Sequence, residues 1–408
     1  MRGRSKMNAL DRRWRALSLP LFFGILAAGT SQGESVFLPY ASEQYEHNSN
    51  VFALPNSTAA FAANGDRRLG DSDLRTVVGF EEDYMWDRQR LYSTLEGRYF
   101  HYDHFNELSH YEYLASAGLD WKLFSAFDGT FLGSFQRYMA PFANRDTQTA
   151  LAINLERHAI GKFNYHISPE WRLETSVDYH DLDAPVQGFP NYGLSETTGL
   201  VALKYLGFSN LTYGISADYI DGKYRNAPLI GTYNQTDVDL TATYAATGQS
   251  TFDGSVGHTQ RDQGLNQGNI SGITGALGYS RRFSGKTSIH VGYTRAVNSY
   301  IGAGGSELDS TLNATFIYQA TYKTGLALGL SETWSKFTGQ TIPGVDVLGR
   351  RDRSPAATFK LNYQATRWLL ISPYANYARR DSNTELYNYS GTIIGIEVLA
   401  KKPAPPAR

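Results

Sequence analysis

The chain of 408 residues contains no cysteine. A disulfide framework, thiolate chemistry and a lipoprotein anchor are therefore excluded. Long hydrophobic runs are also missing, apart from one apolar stretch at residues 16–28, and the mean hydropathy is −0.38. A bundle of membrane-spanning helices is excluded as well, because each such helix needs about 20 predominantly apolar residues.

The apolar stretch at residues 16–28 belongs to a region with the order of a secretory signal peptide. Six basic residues precede the stretch, and mostly small residues follow it at 29–33. We therefore expect residues 1–33 to be a signal peptide. A membrane anchor is disfavoured because the stretch is shorter than a spanning helix. A twin-arginine signal is suggested only by the pair Arg12-Arg13.

Neither sign of charge dominates the chain, which has 38 basic and 39 acidic residues and a net charge of −1. Removal of residues 1–33 takes away six basic residues and one acidic residue, which leaves a net charge of about −6. This balance argues against nucleic acid or an anionic surface as the partner.

The motifs of common enzyme classes are absent. The chain has no nucleophile elbow, Walker loop, dinucleotide fingerprint or His-Glu-x-x-His metal motif. We therefore expect a protein that is not an enzyme and has no cofactor or resident metal. His101, His104 and His110 lie around one loop and could bind a metal, but a solvated loop end is the better explanation.

A barrel hydrolase stays open as a third hypothesis, because a fold can assemble a serine, a histidine and an acid from distant positions. The nominal pairs are His166 with Ser168, and His180 with Asp178 or Asp181.

Aromatic residues and glycine are abundant, with 28 Tyr, 21 Phe and 39 Gly. Two segments, 197–205 and 211–219, alternate apolar and polar residues strictly, with aromatic residues at their ends. A period of two predicts β-strands, and aromatic residues at the ends of an apolar face are typical of membrane-spanning strands. A single hairpin of this kind also fits a soluble β-sandwich, so repetition has to decide between the two.

The alternation repeats along residues 34–400, and short turns alternate with longer polar loops. The short turns lie at 87–89, 124–128, 167–170, 206–210, 247–250, 283–286, 323–325 and 365–367, and the longer loops at 54–72, 103–108, 139–148, 181–194, 221–234, 261–269, 296–307, 337–353 and 379–385. Outer-membrane barrels have this arrangement, with the turns periplasmic and the loops extracellular.

We therefore predict an all-β fold, a transmembrane antiparallel up-and-down β-barrel of about 18 strands in the bacterial outer membrane, embedded in its lipid bilayer. Sixteen strands remain possible, because the first strand and the one near Phe131 are poorly patterned. Residues 401–408 form a short basic, proline-rich tail.

The face opposite the apolar one is polar and is expected to line the lumen. The candidate lumen-lining residues are Arg90, Glu96, Arg98, Glu112, Lys122, Glu156, Lys162, Arg172, Glu174, Asp178, Asp237 and Asp239. Charges of both signs suit an uncharged or weakly charged solute. The alternative is that they pair across neighbouring strands and brace the wall. Some aromatic residues could stack on sugars, namely Tyr92 and Tyr102, which are off the lipid-facing register, and the loop residues Phe189, Tyr192, Tyr224 and Tyr233.

Four segments resemble a known family. Residues 43–54 (EQYEHNSNVFAL), 87–92 (DRQRLY), 97–100 (GRYF) and 168–173 (SPEWRL) are similar to EpsL-like outer-membrane barrels associated with exopolysaccharide biosynthesis and exosortase loci. The family often has Asp-Asn-Leu-Phe-Arg where this chain has Ser49-Asn-Val-Phe-Ala53, so no role of that arginine is carried over.

The resemblance implies a barrel that takes part in exopolysaccharide biosynthesis and export, with polysaccharide as its cargo and periplasmic and inner-membrane polysaccharide-export proteins as partners. We therefore expect a passive conduit for polysaccharide. The alternative is a general diffusion porin, which shares every barrel feature and differs only in its solute.

Overall fold

The computed structural model describes residues 34–144, 149–185, 193–225, 231–264, 269–300, 305–338 and 349–403. The predicted signal peptide 1–33 and most of the predicted tail lie outside the described residues. One α-helix, Ser57–Asn64, and three short 3₁₀ helices, Asn106–Leu108, Phe142–Asn144 and Glu385–Tyr387, accompany the strands. Within the ranges described, no helix is long and apolar enough to cross a membrane.

Eighteen strands make up the described chain. They are β1 Glu34–Asn48, β2 Asp71–Trp86, β3 Gln89–Tyr102, β4 His110–Leu123, β5 Phe127–Met139, β6 Ile153–His166, β7 Trp171–Asp183, β8 Leu194–Tyr205, β9 Leu211–Tyr224, β10 Thr232–Thr247, β11 Ser250–Gln263, β12 Ile270–Arg282, β13 Thr287–Tyr300, β14 Gly305–Gln319, β15 Thr324–Thr338, β16 Arg351–Gln364, β17 Leu369–Ser382 and β18 Tyr389–Lys401.

The strands form one closed sheet. Each strand pairs antiparallel with the next along the chain, and β18 pairs with β1 from Tyr40↔Lys401 to Asn48↔Ile393. Closure leaves no edge strand whose backbone groups lack partners, as a membrane-spanning sheet requires. The predicted antiparallel up-and-down barrel is confirmed with 18 strands, and the two strands that looked doubtful, β1 and β5, are both full length.

Large apolar side chains cover the outer face of the barrel, and aromatic residues form a belt at each end. The belt at the short turns contains Trp86, Phe124, Trp171, Phe208, Phe283, Tyr322 and Trp368, and the belt near the long loops contains Tyr45, Tyr111, Tyr179, Tyr219, Trp334 and Tyr377, all exposed.

The spacing of the belts fits a lipid bilayer. On β7, Trp171 and Tyr179 share one face, and a rise of about 3.4 Å per residue separates them by roughly 27 Å along the strand. The apolar band of outer-membrane barrels is about 25 Å tall. A closed barrel with an apolar outer face of this height places the protein in the bacterial outer membrane.

Several boundaries differ from the predicted ones. The last strand includes Lys401, the first residue of the predicted tail, because it pairs with Tyr40 and its backbone nitrogen donates to the carbonyl oxygen of Trp368 at 2.9 Å. The predicted loop 296–307 is largely strand, since β13 runs to Tyr300 and β14 begins at Gly305.

The sheet splits where this extra strand begins. Pairing between β12 and β13 ends at Gly275↔Arg295, whereas pairing between β13 and β14 continues to Tyr300↔Gly305. The upper end of β12 stays paired with β11 as far as Ile270. Pairing of β14 with β15 also continues, to Ser306↔Thr338, so the upper ends of β13 and β14 separate from β12 but stay joined to β15. We call residues 296–300 and 305–310 the inward hairpin.

Gly275 occupies the point of departure. Its φ of 152° is a conformation that side chains with a Cβ rarely adopt, and a Cβ there would lie 2.3 Å from the carbonyl oxygen of Ser255. A residue with a Cβ at this position would force the backbone of β11 or β12 to move.

We predict that Gly275→Ala lowers the free energy of unfolding by about 1–3 kcal/mol, the usual cost of holding a residue in a sparsely populated backbone conformation. Gly272→Ala is the matched control, because a Cβ at Gly272 has nothing within 4 Å. Urea titration of the barrel in lipid vesicles measures both. Equal stability of the two variants would show that the separation of β13 from β12 does not require glycine at position 275.

Candidate functional site

The inward hairpin packs against the inner wall of the barrel. Ser299 Oγ donates to Glu196 Oε1 at 2.8 Å and lies 2.9 Å from Tyr233 Oη. It also accepts a hydrogen bond of 2.8 Å from Arg261 Nη2. These partners belong to β8, β10 and β11, and β8 is five strands away from β13. The hairpin therefore lies across the extracellular end of the lumen in front of β9–β12.

A buried arginine lies at the centre of this contact. The Arg261 side chain is 2% exposed, and its guanidinium carbon is 3.6 Å from the centre of the Tyr233 ring. Ser299 links this cation to the carboxylate of Glu196. The hairpin is held again at its tip, where Tyr224 Oη donates to the carbonyl oxygen of Gly305 at 2.5 Å. Buried charge is tolerated only when it is paired and hydrogen-bonded, so this contact specifies the position of the hairpin.

We predict that Tyr233→Phe lowers the free energy of unfolding by about 1–3 kcal/mol, because Glu196 and Ser299 each lose a hydrogen-bond partner in a buried site. Tyr213→Phe is the control, since Tyr213 lies exposed on the outer face. Urea titration in vesicles compares the two. A smaller loss for Tyr233→Phe than for Tyr213→Phe would contradict the importance of the contact.

A second inward structure lies at the extracellular ends of β1–β5. We call it the inner apolar cluster, and its buried members are Val51, Phe52, Leu54, Ala60, Phe100, Tyr102, Phe105, Leu108 and Phe142. The Phe52 ring lies edge-on to Phe105 at 4.7 Å and to Phe142 at 4.9 Å between centres. Phe100 and Tyr102 lie on the same face of β3 as Glu96 and Arg98, so the cluster is inside the barrel.

Polar side chains tie the loops of this cluster to the wall. Asn50 Nδ2 donates to the carbonyl oxygens of Leu54 at 2.8 Å and of Ser390 at 3.0 Å. From the opposite side, Arg380 Nη1 on β17 donates to the carbonyl oxygen of Ala143 at 2.6 Å. The loop after β5 therefore reaches the wall at β17.

The loop after β1 and the loop after β3 are joined in the same region. Asp71, which is 1% exposed, accepts hydrogen bonds from the backbone nitrogens of His104 at 3.0 Å and Phe105 at 2.9 Å. At the surface, His104 Nε2 lies 2.7 Å from Asp66 Oδ2, and this hydrogen bond lowers the pKa of Asp66.

We predict that Phe52→Ala loosens the loop after β1, because Phe52 is 3% exposed and fills the centre of the inner apolar cluster. Trypsin should then cut faster after Arg67 or Arg68. Phe61→Ala is the control, because Phe61 is 53% exposed on the helix of the same loop. Equal cleavage rates for the two variants would contradict a packed cluster.

Two open cavities lie along the lumen wall beneath the inner apolar cluster. One of about 700 Å³ lies against β1–β5, β17 and β18, and one of about 390 Å³ lies nearer the periplasmic end. Arg75 and Arg98 line both cavities. Arg75 lies 3.6 Å from Glu46 and stacks over Phe100 at 4.3 Å. Cations and carboxylates therefore alternate along this part of the wall.

Four of the twelve predicted lining residues, Arg90, Glu96, Arg98 and Glu112, pair with a neighbour on β2–β5. Arg98 forms an ion pair with Glu96 and a second one of 3.6 Å with Glu112. Arg90 lies 2.6 Å from Asp83 and 3.8 Å from Asp120.

Four lining residues of β6 and β7 are paired in the same way. Their contacts are Glu156 with His180 at 2.8 Å, Glu174 with Lys204 at 2.7 Å and with Arg172, and Asp178 with His158 at 2.8 Å. Asp237 on β10 accepts a hydrogen bond of 2.7 Å from the neutral Gln235. Lys122, Lys162, Asp237 and Asp239 form no side-chain ion pair with a described residue. Most of the predicted lining charges therefore brace the wall and leave little net field.

The nominal catalytic pairs do not come together. His166 Nε2 lies 2.6 Å from Asp128, and Ser168 Oγ donates to Glu170 at 2.8 Å. His180 contacts Glu156 and Glu196 and not Asp178, which pairs with His158. Asp181 pairs with Arg157 and Arg225.

The three histidines around the loop after β3 do not converge either. His104 contacts Asp66, whereas His110 stacks on Phe100 and lies 3.1 Å from Glu112. Within the part of the chain that the structure describes, no group of three potential ligands could hold a metal ion.

Sequence reasoning missed Arg261, Ser299 and Glu196 as residues that position the hairpin. It did single out Tyr224 and Tyr233, as aromatic residues of the predicted loop 221–234. The structure places them in β9 and β10, and both contact the inward hairpin. Tyr102 lies in the inner apolar cluster, while Phe189 and Tyr192 lie outside the described residues. The aromatic residues of the loop 221–234 were the signal that could have located this contact.

No family model and no curated protein matches this chain. Among solved structures, it is similar to OpdK of Pseudomonas aeruginosa with vanillate, at 9% identity and a TM-score of 0.48, over 90% of this chain and 99% of that one. It is also similar to OccK2 (OpdF) of Pseudomonas aeruginosa, at 10% identity and a TM-score of 0.49, over 90% and 98% of the two chains. A third is OccAB3 of Acinetobacter baumannii, at 9% identity and a TM-score of 0.46, over 90% and 100%.

These comparisons correct the expectation of an exopolysaccharide conduit. The solved structures that resemble the chain are those of proteins such as the outer membrane protein OpdK, and those named here are not exopolysaccharide proteins. The conduit hypothesis is therefore wrong, and the porin alternative fits the findings better. The two structures inside the lumen agree with the correction, because a long polymer would have to pass both. The resemblance to EpsL-like barrels is not tested and stays a prediction.

Proposed function

We propose that the protein is a passive outer-membrane channel for small hydrophilic solutes, a porin and not an enzyme. The observation that carries this proposal is the inward hairpin, which separates from β12 above Gly275↔Arg295 and is bonded to Glu196 on β8 and Arg261 on β11. A segment held in this way narrows a lumen without filling it.

The shape of the lumen supports small solutes. The hairpin covers the extracellular end in front of β9–β12, and the inner apolar cluster covers the end near β1–β5. Between the cluster and the wall, the cavity of about 700 Å³ is of the size that ordinary small-molecule sites have, about 300–1,000 Å³. A solute of this size passes by diffusion, whereas a stiff polymer has to thread past two fixed obstacles.

The charges of the lumen support weak selectivity. Glu96, Glu112 and Glu174 each have a cationic partner on the same stretch of wall. Opposite charges that are paired create little field in the water between them. We therefore expect hydrated solutes to be sorted by size more than by the sign of their charge.

The hairpin can be removed without opening the barrel. Ala296 and Asp309 face each other in the register of β13 and β14, so residues 297–308 can be replaced by Asn-Gly, a two-residue turn that suits antiparallel strands. Below this point, β13 remains paired with β12 and β14, and only residues 336–338 of β15 lose their partners on β14.

We predict that single channels of the full protein conduct ions in planar bilayers and that the shortened variant has a larger single-channel conductance. The reason is that the hairpin no longer narrows the lumen. Heat-modifiable mobility in gels checks that both proteins are folded. Folded full-length protein and folded variant that both fail to conduct would contradict the channel. Equal conductance would show that the hairpin does not limit the flow.

A further inference from the structure

Four cationic side chains lie together on the outer face of the barrel at the extracellular ends of β15, β16 and β17. We call them the outer cation cluster, and they are Lys336, Arg351, Arg353 and Arg379. They share the faces of these strands that carry Leu330, Phe359 and Tyr377, all of them exposed to the membrane side. The cluster therefore faces lipid and not the lumen.

Two of the cations lie directly opposite each other. Lys336 and Arg351 are register partners on β15 and β16. Like charges in directly opposite positions of an antiparallel pair are destabilising. Both residues are exposed, and neither side chain has an ion pair or hydrogen bond with a described residue. This position needs a negative group that the described part of the protein does not supply.

The other two cations of the cluster, Arg353 and Arg379, each pair with one acidic residue, so neither acid neutralises Lys336 or Arg351. Arg353 pairs with Glu332, and Arg379 Nη2 lies 2.7 Å from Asp381 Oδ1. The cluster therefore keeps an excess of two positive charges, which belong to Lys336 and Arg351.

A second group of charged residues on the outer face differs from the outer cation cluster in its net charge. Near the extracellular ends of β6 and β7, Arg157 lies 2.8 Å from Asp181, and Arg225 contacts Asp181 and lies 3.8 Å from Asp183. The two cations have two acids, so this group is neutral.

The position of the outer cation cluster along the strands shows which part of the bilayer it contacts. Trp334 on β15 and Tyr377 on β17 belong to the extracellular aromatic belt, and such belts mark the level of the lipid head groups. Lys336 and Arg379 each lie two residues further toward the extracellular end of the same strands. The excess cations are therefore at the level of the head groups of the outer leaflet.

We propose that the outer cation cluster binds the phosphate groups of a phosphorylated glycolipid in the outer leaflet. Phosphate oxygens accept charge-assisted hydrogen bonds from guanidinium and ammonium groups, and a phosphate between Lys336 and Arg351 removes their repulsion. The net charge of about −6 argues against an anionic surface as a partner only because it sums over the whole chain. The proposed contact with phosphate involves one local group of cations. This proposal does not depend on the channel function.

The test uses the full mature chain folded in detergent and titrated with bisphosphorylated lipid A. The double variant Lys336→Gln/Arg351→Gln should bind roughly 30-fold more weakly, from the usual contribution of two cations near an anionic lipid. The matched control is Arg281→Gln/Lys286→Gln, which removes one exposed arginine and one exposed lysine near the periplasmic turns. It should bind as the unchanged protein does.

A lipid A without phosphates should bind to the unchanged protein as weakly as lipid A binds to the double variant. Unchanged affinity of the double variant, or equal affinity for the two lipids, would overturn the proposal. Heat-modifiable mobility shows whether each variant is folded, and Lys336→Gln alone serves if the double variant is not. The conductance of the double variant should equal that of the unchanged protein, so failure of this proposal and failure of the channel are distinguishable.

Discussion

The pairing of the first strand with the last is the constraint on which the rest of the structure depends. In a membrane, each unpaired backbone group is costly, and only closure removes the edges of a sheet. The register of β1 against β18 keeps the apolar faces of the first and last strands on the same, outer side. A slip by one residue would turn every apolar side chain of a strand toward water. Pairing in this register therefore continues the apolar outer face and the polar lumen across the seam of the barrel.

Closure also permits the departures from regularity. Because β12 stays paired with β11 above Gly275 and β14 stays paired with β15, the upper ends of β13 and β14 can separate from β12 without opening the barrel below. The hairpin then needs polar partners inside, which Glu196, Tyr233 and Arg261 supply. On the other side of the lumen, the loops of β1–β5 bury their own apolar residues around Phe52. Both structures lie at the extracellular end, where solutes from outside first enter.

The sequence was sufficient to predict the barrel because alternation and turn spacing are local patterns. The strands from β2 to β18, except β5, show a clear period of two, and the short turns at residues such as 206–210 lie where predicted. The inward hairpin was predicted as a loop because 296–307 is rich in glycine and serine. Its partners come from β8, β10 and β11, far away in the chain. The facing pair Lys336 and Arg351 depends on strand register, which a count of charges does not contain.

The closure itself is tested most directly by a disulfide between the first and last strands, since the chain has no cysteine of its own. Tyr45 and Ile396 are register partners on the outer face, so Tyr45→Cys/Ile396→Cys should form an intramolecular disulfide in the membrane-inserted protein. Tyr45→Cys/Ile394→Cys, displaced by two residues, should form little. Protease cleavage in a long loop followed by non-reducing electrophoresis detects the bond. Failure of the first pair, or preference for the second, would contradict the closed barrel.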